Sequence, residues 1–240
     1  MNNANREPLS SSSRENRPDQ NWNLVESNGK LGLVDPAHPQ QSAITIDFPS
    51  YLASARGRSE LASLPLIRAM GKKARQVVDA TAGMGQDCFA LAVFGFSVVA
   101  IERSNKIAAL LKDALRRTLT DDELNELLGD RLQVVPGDAI KELKRMAPAP
   151  EVVYLDPMYP PKRKKSALAK KEMQVLRALV GDDDDAQLLF EVARSVARDR
   201  VVVKRPIYAE PISPEPSMSY ESKLVRFDVY LNNRAKPEAV

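Results

Sequence analysis

From residue 76 onward the apolar positions alternate between two rhythms. Short runs rich in Val, Ile and Leu predict strands at Gln76–Ala80, Ser97–Ile101, Leu132–Val135, Val152–Leu155 and Val201–Val203. Between them, helical spacing predicts helices near Gly85–Phe94, Asn105–Arg117, Ala139–Met146, Ala167–Leu179 and Ala186–Ala197. In the second of these, Ile107, Ala108, Leu111 and Leu115 share one face. Val225, Phe227, Val229 and Leu231 alternate with less apolar neighbours, as a half-buried final strand should. Repeated strand–helix units imply an α/β fold, a mostly parallel sheet with helices on both faces. Upstream, residues 1–22 are polar and Ser/Asn/Arg-rich, with little to bury, and read as a disordered tail. Residues 23–72 read as a small extension. It would hold strands Lys30–Val34 and Ala43–Phe48, then a helix capped by Ser59 and running from Glu60 towards Met70, ended by Gly71, with Pro65 a point where it can split. Residues 73–240 form the main domain.

Composition narrows the chemistry. With 240 residues, 43% apolar and 28% charged, the chain is an ordinary globule with a sizeable core. A single cysteine, Cys88, excludes an intrachain disulfide and any Cys-rich zinc site. A single histidine, His38, excludes His-pair metal motifs, and a Ser-His-Asp triad would depend on its Pro-rich loop. The expected chemistry therefore uses neither metal nor imidazole. The longest apolar stretch, Phe89 to Ile101, is broken by Gly95 and Ser97 and falls short of the roughly 18 residues of a spanning helix. The N-terminus shows no apolar signal region, so no membrane association and a cytoplasmic location are expected.

In a parallel α/β sheet, ligands bind beyond the C-terminal strand ends, and four such ends here carry ligand-type residues. After the first strand, Asp79-Ala80-Thr81-Ala82-Gly83-Met84-Gly85 forms a tight turn in which Gly83 and Gly85 permit close backbone approach. A nicotinamide dinucleotide loop would want a third glycine where Cys88 stands. Asp79 favours a cationic ligand instead, such as the amino acid ammonium of S-adenosylmethionine. Glu102 ends the second strand about 20 residues on, where an acid can accept both ribose hydroxyls. Asp138 ends the third, suited to an adenine amino group and equally to capping the next helix. The fourth delivers Asp156-Pro157-Met158-Tyr159-Pro160. Prolines stiffen this loop and leave the Pro157 carbonyl and Asp156 as acceptors beside the flat face of Tyr159. An exocyclic amine on a base is a poor nucleophile because its lone pair is delocalised. Two acceptors on its N–H groups and an aromatic against its plane would orient it for transfer.

The net charge is +3 and the isoelectric point about 8.9, and the distribution matters more than the total. Lys162, Arg163, Lys164 and Lys165, then Lys170 and Lys171, follow the Asp156 loop with no acid among them. Lys204 and Arg205 end the fifth strand, and Arg56 and Arg58 lie in the N-terminal part. All are candidate contacts to the phosphates of a nucleic acid.

Together, Asp79 to Asp87 (DATAGMGQD), Ile101-Glu102-Arg103, Val153 to Pro160 (VYLDPMYP), Ser166 to Met173 (SALAKKEM) and Val201 to Pro206 (VVVKRP) resemble the RsmJ-type 16S ribosomal RNA (guanine-N2) methyltransferases. The similarity runs in order from about residue 30 to 232. It implies a class I S-adenosylmethionine-dependent, Rossmann-like fold and methylation of a guanine amine in 16S ribosomal RNA or the 30S subunit. It also implies cofactor contacts at Gln86, Asp87, Glu102, Arg103, Asp138, Ala139 and Asp156. The family usually carries Arg at Gln86 and often Ser-Ser at Asp138-Ala139. Amine methylation of DNA or another RNA, and a non-catalytic RNA-binding role on the same fold, are the alternatives left standing by the residues themselves.

Overall fold

The computed structural model describes residues 22–38, 40–52, 63–158 and 185–232. The predicted helix Ala167–Leu179 lies outside them, as do Ser59, Arg56, Arg58, Tyr159 and the lysines from 162 to 171.

The chain opens on an antiparallel hairpin, β1 (Asn23–Ser27) and β2 (Lys30–Val34), turned through Asn28 and Gly29 at φ 52° and 69°. This left-handed pair matches the twist of a two-residue hairpin. Short helices α1 (Phe48–Leu52) and α2 (Pro65–Met70) lead to the main sheet. There follow β3 (Gln76–Asp79), α3 (Gln86–Phe94), β4 (Ser97–Glu102), α4 (Asn105–Thr118), α5 (Asp122–Leu128), β5 (Leu132–Pro136), α6 (Ala139–Arg145) and β6 (Val152–Leu155). After the undescribed segment come α7 (Ala186–Val196), β7 (Arg200–Pro206), β8 (Met218–Glu221) and β9 (Val225–Leu231).

Seven strands form one sheet in the order β5-β4-β3-β6-β7-β9-β8. The first five run parallel, and β9 pairs antiparallel with both β7 and β8. The order reverses between β3 and β6, where adjacent crossovers leave opposite ways and open a crevice at the strand ends. One face packs Phe48, Phe89, Leu111, Tyr154, Val202 and Phe227 into a core. The other packs Leu155, Phe190, Val201, Val203 and Tyr230. Helix α4 shows why the local pattern works. Ser104 caps it by accepting from the Ile107 amide at 3.4 Å, and Ile107, Leu110, Leu111 and Ala114 line its buried side.

Three expectations change. The strand Ala43–Phe48 is reduced to one bridge, Ile44 to Leu33, because Phe48-Pro49 begins α1 and turns the Phe48 ring onto Phe89, with centroids 4.6 Å apart. The start of the helix expected from Glu60 lies outside the described residues, and α2 begins at Pro65, whose fixed φ suits a first turn. Trp22, placed in the tail by composition, is partly buried against the core. The final strand is buried on both faces, because Phe227 and Val229 pack into one core and Tyr230 into the other. Strands β1 and β8 and helix α5 lack strong apolar patterns and were not anticipated; α5 buries only Leu128.

Candidate active site

The glycine turn sits at the crevice. Gly85, at φ 81°, caps α3, and a Cβ there would stand 2.5 Å from Leu111 Cδ2 and 2.9 Å from Phe48 Cε1. The residue must therefore be glycine for both its conformation and its packing. Glu102, buried at the end of β4, fastens the same turn. Its carboxylate accepts from the Gly83 amide at 2.8 Å and from the Ser104 amide at 2.8 Å. Each carboxylate oxygen has capacity for a second hydrogen bond, which is what a ribose diol would use.

Asp79 ends β3 and is 1% exposed. Its Oδ1 accepts from the Thr81 amide at 3.0 Å. Burial pushes its carboxyl well above the usual range; the Thr81 bond opposes this, while nearby Asp87 and Asp156 reinforce it. Thr81 also ties the two loops of the crevice together, its Oγ1 accepting from the Asp156 amide at 2.6 Å. Asp156 thus leaves β6 beside the glycine turn, followed by buried Pro157.

A further group closes the site. Asp87, in the first turn of α3, accepts from the Tyr154 hydroxyl at 2.5 Å and from Lys204 Nζ at 2.8 Å, both on Oδ2. Lys204 also reaches Asp156 Oδ2 at 2.9 Å. Burial, then Asp87, Asp156 and Asp79, pushes the Tyr154 phenol up, so it remains a neutral donor. Burial likewise raises the Cys88 thiol, whose Sγ donates to the Gly85 carbonyl at 3.2 Å. Three aspartates therefore converge around one lysine, an acid surplus suited to a cationic ligand.

The structure brings Asp79, Gly83, Gly85, Asp87, Glu102 and Asp156 to one crevice. Gln86 is exposed on the first residue of α3, and Arg103 follows Glu102 and reaches Asp185 at 3.4 Å. Asp138 caps α6, accepting from the Lys141 amide at 3.1 Å, with Ala139 beginning the helix. Two of the candidate phosphate contacts meet protein partners instead of standing open. Lys204 pairs with the Asp87 and Asp156 carboxylates inside the crevice. Arg205 is 7% exposed, and its guanidinium donates to the Glu210 carbonyl. Burial lowers it to about 10, against the pull of Asp228. Adjacent residues on a strand face opposite ways, which separates this pair. Thr81 and Tyr154 were not singled out from the sequence. A tyrosine within the Val-Val-Tyr-Leu strand was the available signal for the second, since a buried phenol needs a partner.

Among the described residues no helix is long and apolar enough to cross a membrane, and no group of three or more His, Cys, Asp or Glu could hold a metal ion.

Residues 9–232 match the family described as "Putative SAM-dependent methyltransferase", SAM being S-adenosylmethionine. The chain is 44% identical over 217 residues to ribosomal RNA small subunit methyltransferase J of Pectobacterium atrosepticum, covering 87% of this chain and 86% of that protein. It is 48% identical over 216 residues to the protein of the same name from Thioalkalivibrio sulfidiphilus, covering 87% and 83%. Among solved structures, a SAM-dependent methyltransferase from Neisseria gonorrhoeae superposes with a TM-score of 0.70 at 33% identity, over 92% of this chain and 87% of that one.

Proposed function

Because this chain belongs to the ribosomal RNA small subunit methyltransferase J family, we propose that it is an S-adenosylmethionine-dependent enzyme methylating the exocyclic N2 amine of a guanine in 16S ribosomal RNA. The observation that carries the amine chemistry is the placement of Asp156. It stands at the end of β6, at the switch point, tied through Thr81 to the glycine turn.

The residues fit the cofactor. Asp79, Asp87 and Asp156 would be the acceptors for its cationic ammonium and sulfonium, Glu102 would accept from its ribose hydroxyls, and Asp138 and Ala139 lie at the next strand end. Bound S-adenosylmethionine supplies a methyl group already activated on a cationic sulfur. The protein therefore has to orient the acceptor rather than deprotonate it strongly. Asp156 and the Pro157 carbonyl accept from the amine N–H groups and localise its lone pair, and Tyr159, two residues on in the sequence, is the candidate aromatic for the base plane. The base is presented from a loop or flipped out of its stack. Lys162, Arg163, Lys164, Lys165, Lys170 and Lys171 hold the RNA phosphates, as their sequence position after Asp156 suggests, and Arg56 and Arg58 contribute from the N-terminal part. The cytoplasm, where the small subunit is available, is the expected location.

The test is transfer of a tritiated methyl group to 30S subunits, naked 16S RNA and DNA, followed by nucleoside mass spectrometry. N2-methylguanine from the RNA substrates is expected. Methylated adenine or cytosine, or transfer to DNA alone, would overturn the assignment. Replacing Lys164 and Lys165 by Ala should flatten the salt dependence of RNA binding by about 0.7 to 0.9 log units per lost contact.

A further inference from the structure

Lys204 ends the run Arg200–Lys204 of β7 with its side chain turned into the crevice and 24% exposed. Its ammonium touches Asp87 Oδ2 at 2.8 Å and Asp156 Oδ2 at 2.9 Å. Asp87 is fixed in turn by the Tyr154 hydroxyl on the same oxygen. The Asp156 backbone is fixed separately by Thr81. Burial opposes the charge on Lys204, but Asp156 and Asp87 outweigh it and raise the ammonium well above its usual range.

We propose that Lys204 is a positioning residue for methyl transfer, whose ammonium holds the Asp156 carboxylate ionised and aimed at the acceptor amine while locking it to Asp87 on the cofactor side. The inference rests on the reading of Asp156 as the amine acceptor. A carboxylate oriented only by its backbone can rotate about its side-chain torsions. A fixed cation at 2.9 Å removes that freedom and favours the charged form. Among the described residues, the groups facing Asp156 include Asp79 from β3, Tyr154 from β6 and Lys204 from β7, with Asp87 from α3 across the lysine. Of these Lys204 is the cation, so its loss removes the charge that bridges Asp87 and Asp156.

The test compares Lys204→Met, Lys204→Arg and Asp156→Asn by kcat, KM for 30S subunits and pH–rate profile, with folding checked by circular dichroism. Lys204→Met should lower kcat about ten- to a hundredfold with KM for RNA little changed, since a hydrogen-bonded charge is lost. The acid limb of its profile should move to higher pH, because Asp156 protonates more readily without the cation. Lys204→Arg keeps the charge in a bulkier head. It should retain the wild-type acid limb with kcat lowered about three- to tenfold. This variant carries the test if Lys204→Met does not fold. Lys204→Cys treated with bromoethylamine should regain activity by restoring the ammonium; buried Cys88 is shielded from the reagent. A raised KM at unchanged kcat in Lys204→Met would overturn the proposal and return Lys204 to phosphate binding. So would wild-type kcat in Lys204→Arg where Lys204→Met is unfolded. An active Asp156→Asn would instead defeat the underlying reading of Asp156, whatever Lys204 does.

Discussion

Gly85 offers the most direct test of the packing that shapes the crevice. Replacing it by Ala asks an L-residue to hold φ 81° and places a methyl 2.5 Å from Leu111 Cδ2 and 2.9 Å from Phe48 Cε1. The backbone part costs about 1–2 kcal/mol. The steric part, forcing Phe48 off its stack on Phe89 or moving the turn, costs about 1–3 kcal/mol. Gly29 separates the two. It has φ 69° and no atom within 4 Å of an added Cβ, so Gly29→Ala carries the backbone part alone. Urea unfolding with a common slope should therefore place Gly85→Ala about 1–3 kcal/mol below Gly29→Ala. Calorimetric titration should also show weakened S-adenosylmethionine binding in Gly85→Ala only, since that turn carries Gly83 and leads into Asp87. Equal stability of the two variants, within about 0.5 kcal/mol, would refute the close packing of Phe48 and Leu111 on the turn.

Other outcomes follow from single contacts. Asp79 has a raised folded-state value, so its contribution to stability is complete below the ordinary 3.8 and is lost as pH rises through the folded value. Asp79→Asn should accordingly melt higher than wild type at neutral pH without ligand, the gap closing towards pH 4, while binding S-adenosylmethionine more weakly. A lower melting temperature at neutral pH would reverse the sign of this argument. Glu102→Gln should weaken cofactor binding about ten- to a hundredfold by titration calorimetry, and a change under about threefold would remove the ribose role. Arg117 pairs with Asp113 at 2.8 Å and donates to the Ile46 carbonyl at 2.5 Å, joining α4 to the N-terminal segment. Arg117→Met should cost about 1–3 kcal/mol in urea unfolding with the slope unchanged.

Where a signal is local, the sequence carries it. Val152–Leu155 and Val225–Leu231 match their strands residue for residue, because apolar runs and alternation are properties of neighbours. The positions of Asp79, Glu102 and Asp156 at strand ends were legible because each closes or directly follows an apolar run, and Asp138 stands one glycine beyond its strand. The links between them were not. Tyr154 meets Asp87 across 67 residues, Asp156 meets Thr81 across 75 and Lys204 meets Asp87 across 117. No spacing rule encodes such meetings; the sheet order does. The same gap explains Lys204 and Arg205, which read as one basic dipeptide and lie in two different places.

The position of β9 has a consequence for synthesis. It is the last of the described strands in chain order, yet it lies between β7 and β8, and among the described strands it is the pairing partner of β8. Strands emerge from a translating ribosome in chain order, so β3 to β7 can zip together while the remainder is still being made. Met218–Glu221 must then wait for Val225–Leu231 to arrive before it has a ladder to join. The sheet of an enzyme whose substrate is ribosomal RNA therefore gains its β8 edge only after the β9 segment has left the ribosome.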